Sequence, residues 1–101
     1  MKVEIYTQEG CDYCESVIDW LEDNKIHFNE TRVSYHNKKR VIAMLTERTK
    51  VRIFSFPQIF IDGKYIGRHS DFLIIRNKIL EQHKKEMDGN QNILKNGLYL
   101  L

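Results

Sequence analysis

The chain of 101 residues has no apolar run near the roughly 18 residues that a membrane-spanning helix requires, so no part of it reads as a bilayer segment. It also lacks a cationic stretch followed by an apolar block at its start. Met1-Lys2-Val3-Glu4-Ile5 alternates apolar and charged side chains, which is not the pattern of a secretory leader. A reducing, cytoplasmic setting is therefore the expectation. Charge of one sign is missing too: 16 Lys and Arg stand against 14 Asp and Glu, a net +2. The densest basic run, Lys38-Lys39-Arg40 beside His36 and Asn37, has no aromatic residues interleaved with it, as a single-strand binder would have. It reads as a solvated helix start or loop, and no nucleic-acid partner is expected. Repeats and low-complexity blocks are absent. What remains, 42% apolar and 30% charged residues, suits one soluble domain around a single core.

Proline occurs once and cysteine twice, and both cysteines stand in Gly10-Cys11-Asp12-Tyr13-Cys14-Glu15-Ser16. In a reducing compartment such a close pair is more often catalytic or metal-binding than a structural staple. Its meaning depends on the elements around it.

Val3 and Ile5 alternate with Glu4 and Tyr6, which predicts a strand ending near Thr7 and running into the loop Gln8-Glu9-Gly10. From Cys14 the apolar positions Val17, Ile18 and Leu21 recur at spacings of three and four, predicting a helix that ends near Asn24-Lys25. Residues 28–33 form a more polar second strand, and a helix from about Asn37 to Thr49 turns Val41, Met44 and Leu45 inward. Strand, helix, strand in this order implies parallel pairing through a right-handed crossover. Gln58-Ile59-Phe60-Ile61 and Lys64-Tyr65-Ile66 flank Asp62-Gly63, a dipeptide suited to a tight hairpin because it tolerates positive φ. A third helix runs from about Ser70-Asp71 to Gln82, burying Phe72, Ile75 and Ile79, with Ser70 or Asp71 as its N-cap. The order is βαβ followed by ββα. Asp88-Gly89-Asn90-Gln91-Asn92 reads as a linker or turn before the apolar residues Ile93, Leu94, Leu98, Tyr99, Leu100 and Leu101. Those residues pack on the domain's own surface or form a partner surface.

Three readings of the cysteines are open. A cysteine just before a helix aims its sulfur at unpaired backbone N–H groups and at the positive end of the dipole, which favours thiolate over thiol. Cys11 is that residue, and Cys14, one turn inside, can attack a mixed disulfide formed on Cys11. A zinc site would need two further ligands, and His27, His36, His69 and His83 show no pairing at zinc-module spacing. Two inert buried cysteines are the third reading. The position of the pair, at a strand-to-helix turn within a βαβ pattern, favours thiol chemistry. Asp12 stabilises the first helical turn yet opposes a second negative charge beside it. Tyr13 reads as a semi-exposed aromatic covering the sulfurs and not as an acid or base. Pro57, in Ser55-Phe56-Pro57, precedes a strand, where its missing N–H belongs at an edge, a bulge or a turn. A cis bond there would open the backbone of Phe56 to an extended substrate, although X–Pro bonds are trans by base rate.

From Lys2 to about Gln82 the chain resembles the glutaredoxins, with Cys-Asp-Tyr-Cys at 11–14 in place of Cys-Pro-Tyr-Cys. Phe56-Pro57-Gln58-Ile59-Phe60-Ile61-Asp62-Gly63 is similar to the family's Val-Pro-Gln-Ile-Phe-Ile-Asn/Asp-Gly segment, whose proline is cis. Tyr65-Ile66-Gly67-Arg68-His69-Ser70-Asp71-Phe72 is similar to its Ile-Gly-Gly-x-Ser/Thr/Asp-Asp-Leu/Phe segment. The resemblance implies an α/β, thioredoxin-like fold with a four-stranded mixed sheet flanked by helices. It implies a domain over residues 1–87 and an extension over 88–101 that the family pattern does not reach. It also implies a glutathione-dependent thiol–disulfide oxidoreductase, with glutathione as reductant and no metal. Cys11 would attack the substrate disulfide, Cys14 would release the product, and glutathione would restore the dithiol. Tyr13, Phe56, Pro57, Gly67, Ser70 and Asp71 would hold glutathione: the backbone beside Pro57 pairs with its cysteine unit, and Ser70 and Asp71 take its γ-glutamyl end. A monomer serving protein disulfides, such as that of ribonucleotide reductase, is the expected form. The alternative is a dimer holding a [2Fe-2S] cluster through Cys11 and glutathione, suggested by the missing proline after Cys11. Three positions depart from the family: Gln8 replaces a basic residue, Phe54 an arginine or polar residue, and Arg68 the second glycine of the Gly-Gly pair.

Overall fold

The computed structural model describes the backbone of residues 1–95 and the side chains of residues 1–88. Its elements follow the order β1 (Val3–Gln8), α1 (Asp12–Asp23), β2 (Asn29–Val33), α2 (Lys38–Thr49), β3 (Gln58–Ile61), β4 (Lys64–Gly67) and α3 (His69–Lys95). The four strands make one sheet ordered β2-β1-β3-β4. β1 pairs parallel with β2, opposing Gln8 to Val33, and antiparallel with β3, opposing Ile5 to Ile59. β4 turns back on β3 through Asp62 and Gly63, whose φ of 51° and 80° are the positive values a tight hairpin needs. This is the expected mixed sheet of a thioredoxin-like fold.

Period-two alternation along β1 sends its residues to two separate cores. Val3 and Ile5 join Val17, Ile18, Leu21, Ile26, Ile59, Phe72 and Ile79 on the side of α1 and α3. Tyr6 points the other way, with Val33, Val41, Leu45, Ile53, Phe56, Phe60 and Cys14, beneath α2. The end of α1 shows how the chain returns to the sheet. Lys25 adopts a left-handed φ of 57°, and the Ile26 N–H bonds back to the Leu21 carbonyl at 2.9 Å while the Ile26 side chain is buried. On the α2 side, Arg48 donates to both carboxylate oxygens of Glu4 at 3.1 and 3.2 Å and lies 3.7 Å above the Phe60 ring.

Three expectations are corrected. Met44 is 41% exposed rather than inward, because α2 rests on the sheet through Val41 and Leu45, with Ile42 packing at the margin. α3 starts at His69, which puts Ser70 and Asp71 inside its first turn; Arg68 holds the capping position, its carbonyl accepting from Phe72 N–H at 2.9 Å. The same helix continues past Gln82 to Lys95, so residues 88–92 are helical and not a linker. Gly89 weakens a helix interior by about 1 kcal/mol relative to alanine, which does not end one when no proline follows. The boundary expected at residue 87 lies within α3, and the packing of the apolar tail lies outside the described residues.

Candidate active site

Cys11 and Cys14 are joined by a disulfide, with Cα atoms 5.2 Å apart. The pair sits where β1 gives way to α1, at the carboxyl end of a central strand, beyond the loop turned by Gly10 at φ 71°. The two sulfurs differ in surroundings. Cys14 is fully buried in the α2-side core, whereas Cys11 is half-buried and within reach of an incoming group. As N-cap, Cys11 offers its Sγ to the Cys14 backbone N–H at 3.2 Å. This is the contact expected from the sequence, and it stabilises a thiolate in the reduced protein. Asp12 is exposed in the same turn, with Glu15 one turn further along, so two carboxylates share the dipole's positive end with the sulfur.

The Phe56–Pro57 bond is cis, and the Phe56 carbonyl oxygen lies 3.5 Å from Cys11 Sγ. The segment is held from below. Gln58, which is fully buried, donates its Nε2 to the Ser55 carbonyl at 2.7 Å and accepts from the Tyr65 hydroxyl at 2.5 Å. Burial, first, and the Asp71 charge, second, raise the Tyr65 phenol above its ordinary titration range, with Arg68 opposing, so the hydroxyl keeps the proton it donates. The sequence reading assigned Gln58 and Tyr65 no role. The signal was there: a polar amide inside the apolar run Gln58-Ile59-Phe60-Ile61 needs partners if it is buried.

Two adjoining cavities share Arg68, and the first borders the cysteine turn through Tyr13 and Phe56. One, of about 340 Å³, is lined by Tyr13, Ser55, Phe56, Arg68, His69 and Ser70. The other, of about 400 Å³, reaches Arg52, Phe54, Gln58, Tyr65, Gly67 and Asp71. Of the residues expected to bind substrate, Tyr13, Phe56 and Ser70 line the first cavity and Gly67 and Asp71 the second, while Pro57 is fully buried and lines neither. Tyr13 is 63% exposed and stacks on His69 with ring centres 4.6 Å apart. His69, which the sequence reading considered only as a metal ligand, thereby joins α3 to the cysteine turn. Gly67 has φ 126°, and a Cβ on it would collide with the Asp71 carboxylate. That carboxylate reaches back to the Arg68 backbone N–H at 3.0 Å, capping α3 from its third position. Of the departures from the family pattern, Arg68 and Phe54 line these cavities, while Gln8 lies in a separate cavity beside α2. Among the described residues, no group of three or more His, Cys, Asp or Glu is placed to hold a metal ion.

Comparison with known proteins agrees with this geometry. The Glutaredoxin family profile matches residues 3–66, which span all four strands to within one residue. The chain belongs to the glutaredoxin family. It is 37% identical over 70 residues to glutaredoxin 3 of Escherichia coli strain K12, covering 68% of this chain and 78% of that one. It is 31% identical over 67 residues to glutaredoxin 1 of Rickettsia bellii, covering 66% and 68%. The crystal structure of glutaredoxin 1 from Francisella tularensis, complexed with cacodylate, superposes with a TM-score of 0.72 at 35% identity and covers 79% of this chain and 96% of that one. As a glutaredoxin with both cysteines in a redox-active disulfide, the protein is a thiol–disulfide oxidoreductase. No helix among the described residues is long and apolar enough to cross a membrane.

Proposed function

We propose that this glutaredoxin is a monomeric, cytoplasmic, glutathione-dependent reductase of protein disulfides and glutathione mixed disulfides. One observation carries the reading: Cys11 is capped by the Cys14 N–H and sits against the carbonyl of Phe56, whose residue lines the adjoining cavity with Tyr13. In the reduced protein the Cys11 thiolate attacks one sulfur of the substrate disulfide. The substrate S–S bond breaks, a Cys11 mixed disulfide forms, and the departing thiolate takes a proton. Cys14 then gives up its proton and attacks Cys11 Sγ, which releases the second thiol and closes Cys11–Cys14. The substrate has gained two electrons. Two glutathione molecules return them in the same manner and leave as glutathione disulfide. In this reading the Phe56 backbone pairs with the cysteine unit of glutathione, and Ser70 and Asp71 take its γ-glutamyl carboxylate, a role supported by their position in the first turn of α3. Large disulfide proteins, ribonucleotide reductase among them, are the substrate class that a shallow, open groove admits.

A glutathione-coupled assay on a small glutathione mixed disulfide tests the reading. Cys11→Ser should abolish turnover. Cys14→Ser should keep turnover of the mixed disulfide, which external glutathione can resolve, and lose that of an intramolecular protein disulfide. Wild-type turnover no greater than that of Cys11→Ser would refute it.

A further inference from the structure

The basic run Lys38-Lys39-Arg40 takes no part in the chemistry above, and the fold brings its first residue to the loop that leads into Cys11. Gln8 and Glu9, three and two residues before Cys11, share a cavity of about 260 Å³ with Val33, Ser34, Tyr35 and Lys38. Tyr35 and Lys38 continue into a second cavity of about 460 Å³ with His36, Lys39 and Ile42, whose lining is largely apolar. The two make one surface leading from the cysteine loop along the start of α2. Tyr35 is 92% exposed there and meets the His36 ring edge to face, with ring centres 5.7 Å apart. No ion pair among the described residues involves Lys38, Lys39 or Arg40, and Glu9 is the single carboxylate lining either cavity.

These cations stand where the fold itself gains nothing from them. They occupy the first turn of α2, which has no acidic residue, and they oppose the helix dipole. Asn37, at the capping position, makes no side-chain cap and instead accepts from the Ser34 N–H at 2.8 Å. A local rule broken without internal compensation points outward, to a partner. We infer that the surface of Tyr35, Lys38, Lys39 and Ile42 docks an acidic segment of the protein disulfide substrate, its carboxylates on the two lysines and an apolar side chain against Tyr35 and Ile42. Charge complementarity selects the occupant, and the continuity with Gln8 and Glu9 delivers the substrate's disulfide to Cys11. The inference rests on the disulfide-reductase reading and adds to it a class of substrate.

The test uses two synthetic peptides closed by an intramolecular disulfide and identical except that glutamates in one are glutamines in the other. Wild type should reduce the acidic peptide roughly tenfold faster in kcat/KM at low salt, and about 0.5 M salt should erase the difference. The double variant Lys38→Glu, Lys39→Glu should lose the preference while its turnover of a small glutathione mixed disulfide is unchanged. Because acidic residues suit the first turn of a helix, its melting temperature should equal or exceed that of wild type. Lys38→Gln, Lys39→Gln provides a neutral version and should lose the preference as well. Equal wild-type rates on the two peptides, or a preference that survives both variants, would overturn the inference. So would retention of a single-stranded RNA oligonucleotide by wild type with no peptide preference, which would make the patch a nucleic-acid surface. Absence of mixed-disulfide turnover in wild type would strike the proposed function instead, and the two failures are therefore distinct.

Discussion

Cys11 owes its nucleophilic character to its position. The Cys14 N–H at 3.2 Å and the dipole of α1 lower the cost of a negative charge on its sulfur, and Asp12 in the same turn raises it. Because Asp12 is exposed, solvent screens its effect, and it amounts to a fraction of a kcal/mol up to about 1 kcal/mol. Asp12→Asn should therefore speed alkylation of reduced Cys11 at mildly acidic pH by about two- to fivefold. Iodoacetamide kinetics on the Cys14→Ser background would show it, and a slower variant would mean that Asp12 acts by positioning the turn and not by charge. The sequence showed the two cysteines, the carboxylate between them and the likeness of three segments to the family. It could not show that Gln58 and Tyr65 brace the Ser55 carbonyl, since that link joins β3, β4 and a loop across the fold. Nor could it pair His69 with Tyr13, which are far apart along the chain and meet only because α3 begins beside α1.

At the scale of elements, hydrophobic periodicity located every strand and helix, and its errors concern ends and faces. Met44 follows the helical spacing of Val41 and Leu45, yet α2 rests on the sheet through those two residues and leaves it outside. α3 was cut short at Gln82 because glycine and asparagine read as a turn, whereas the backbone carries the helix to Lys95. The attachment of α2 to the sheet has an electrostatic part that pH can probe. Hydrogen bonds from Arg48 are the largest cause holding the Glu4 carboxyl below its ordinary value of 4.5, with burial opposing them. A carboxyl whose folded value is depressed adds stability that is complete above its unfolded value and fades as the pH falls through the folded one. The urea midpoint of wild type should thus decline as pH drops below about 4.5, and Arg48→Met should remove part of that slope. The partly exposed setting limits the contribution to about 1 kcal/mol or less. A slope identical in both proteins would assign the acid sensitivity to other carboxylates.

For the whole molecule, Ile79 is the last core residue among the described residues, and Glu86 closes an ion pair at 2.9 Å with the amino group of Met1. The proposed folding unit is residues 1–87, although α3 runs on through the boundary. A chain ended after Met87 should unfold cooperatively and reduce a small glutathione mixed disulfide within about a factor of two of the full-length rate. Calorimetry and the coupled assay on the truncated chain would check both, and loss of cooperative unfolding would make the extension part of the core. By itself, the sequence determined the order of elements, the inward positions of β1, α1 and α3, the hairpin at Asp62-Gly63 and the reactive pair, because each is written in local spacing and residue type. Tertiary structure alone decided which residues share the groove, that Gln58 and Tyr65 support it, and that a basic run 24 residues beyond Cys14 stands next to the cysteine loop. The physical reason is that a parallel β1–β2 pairing brings the loops after both strands to the same end of the sheet.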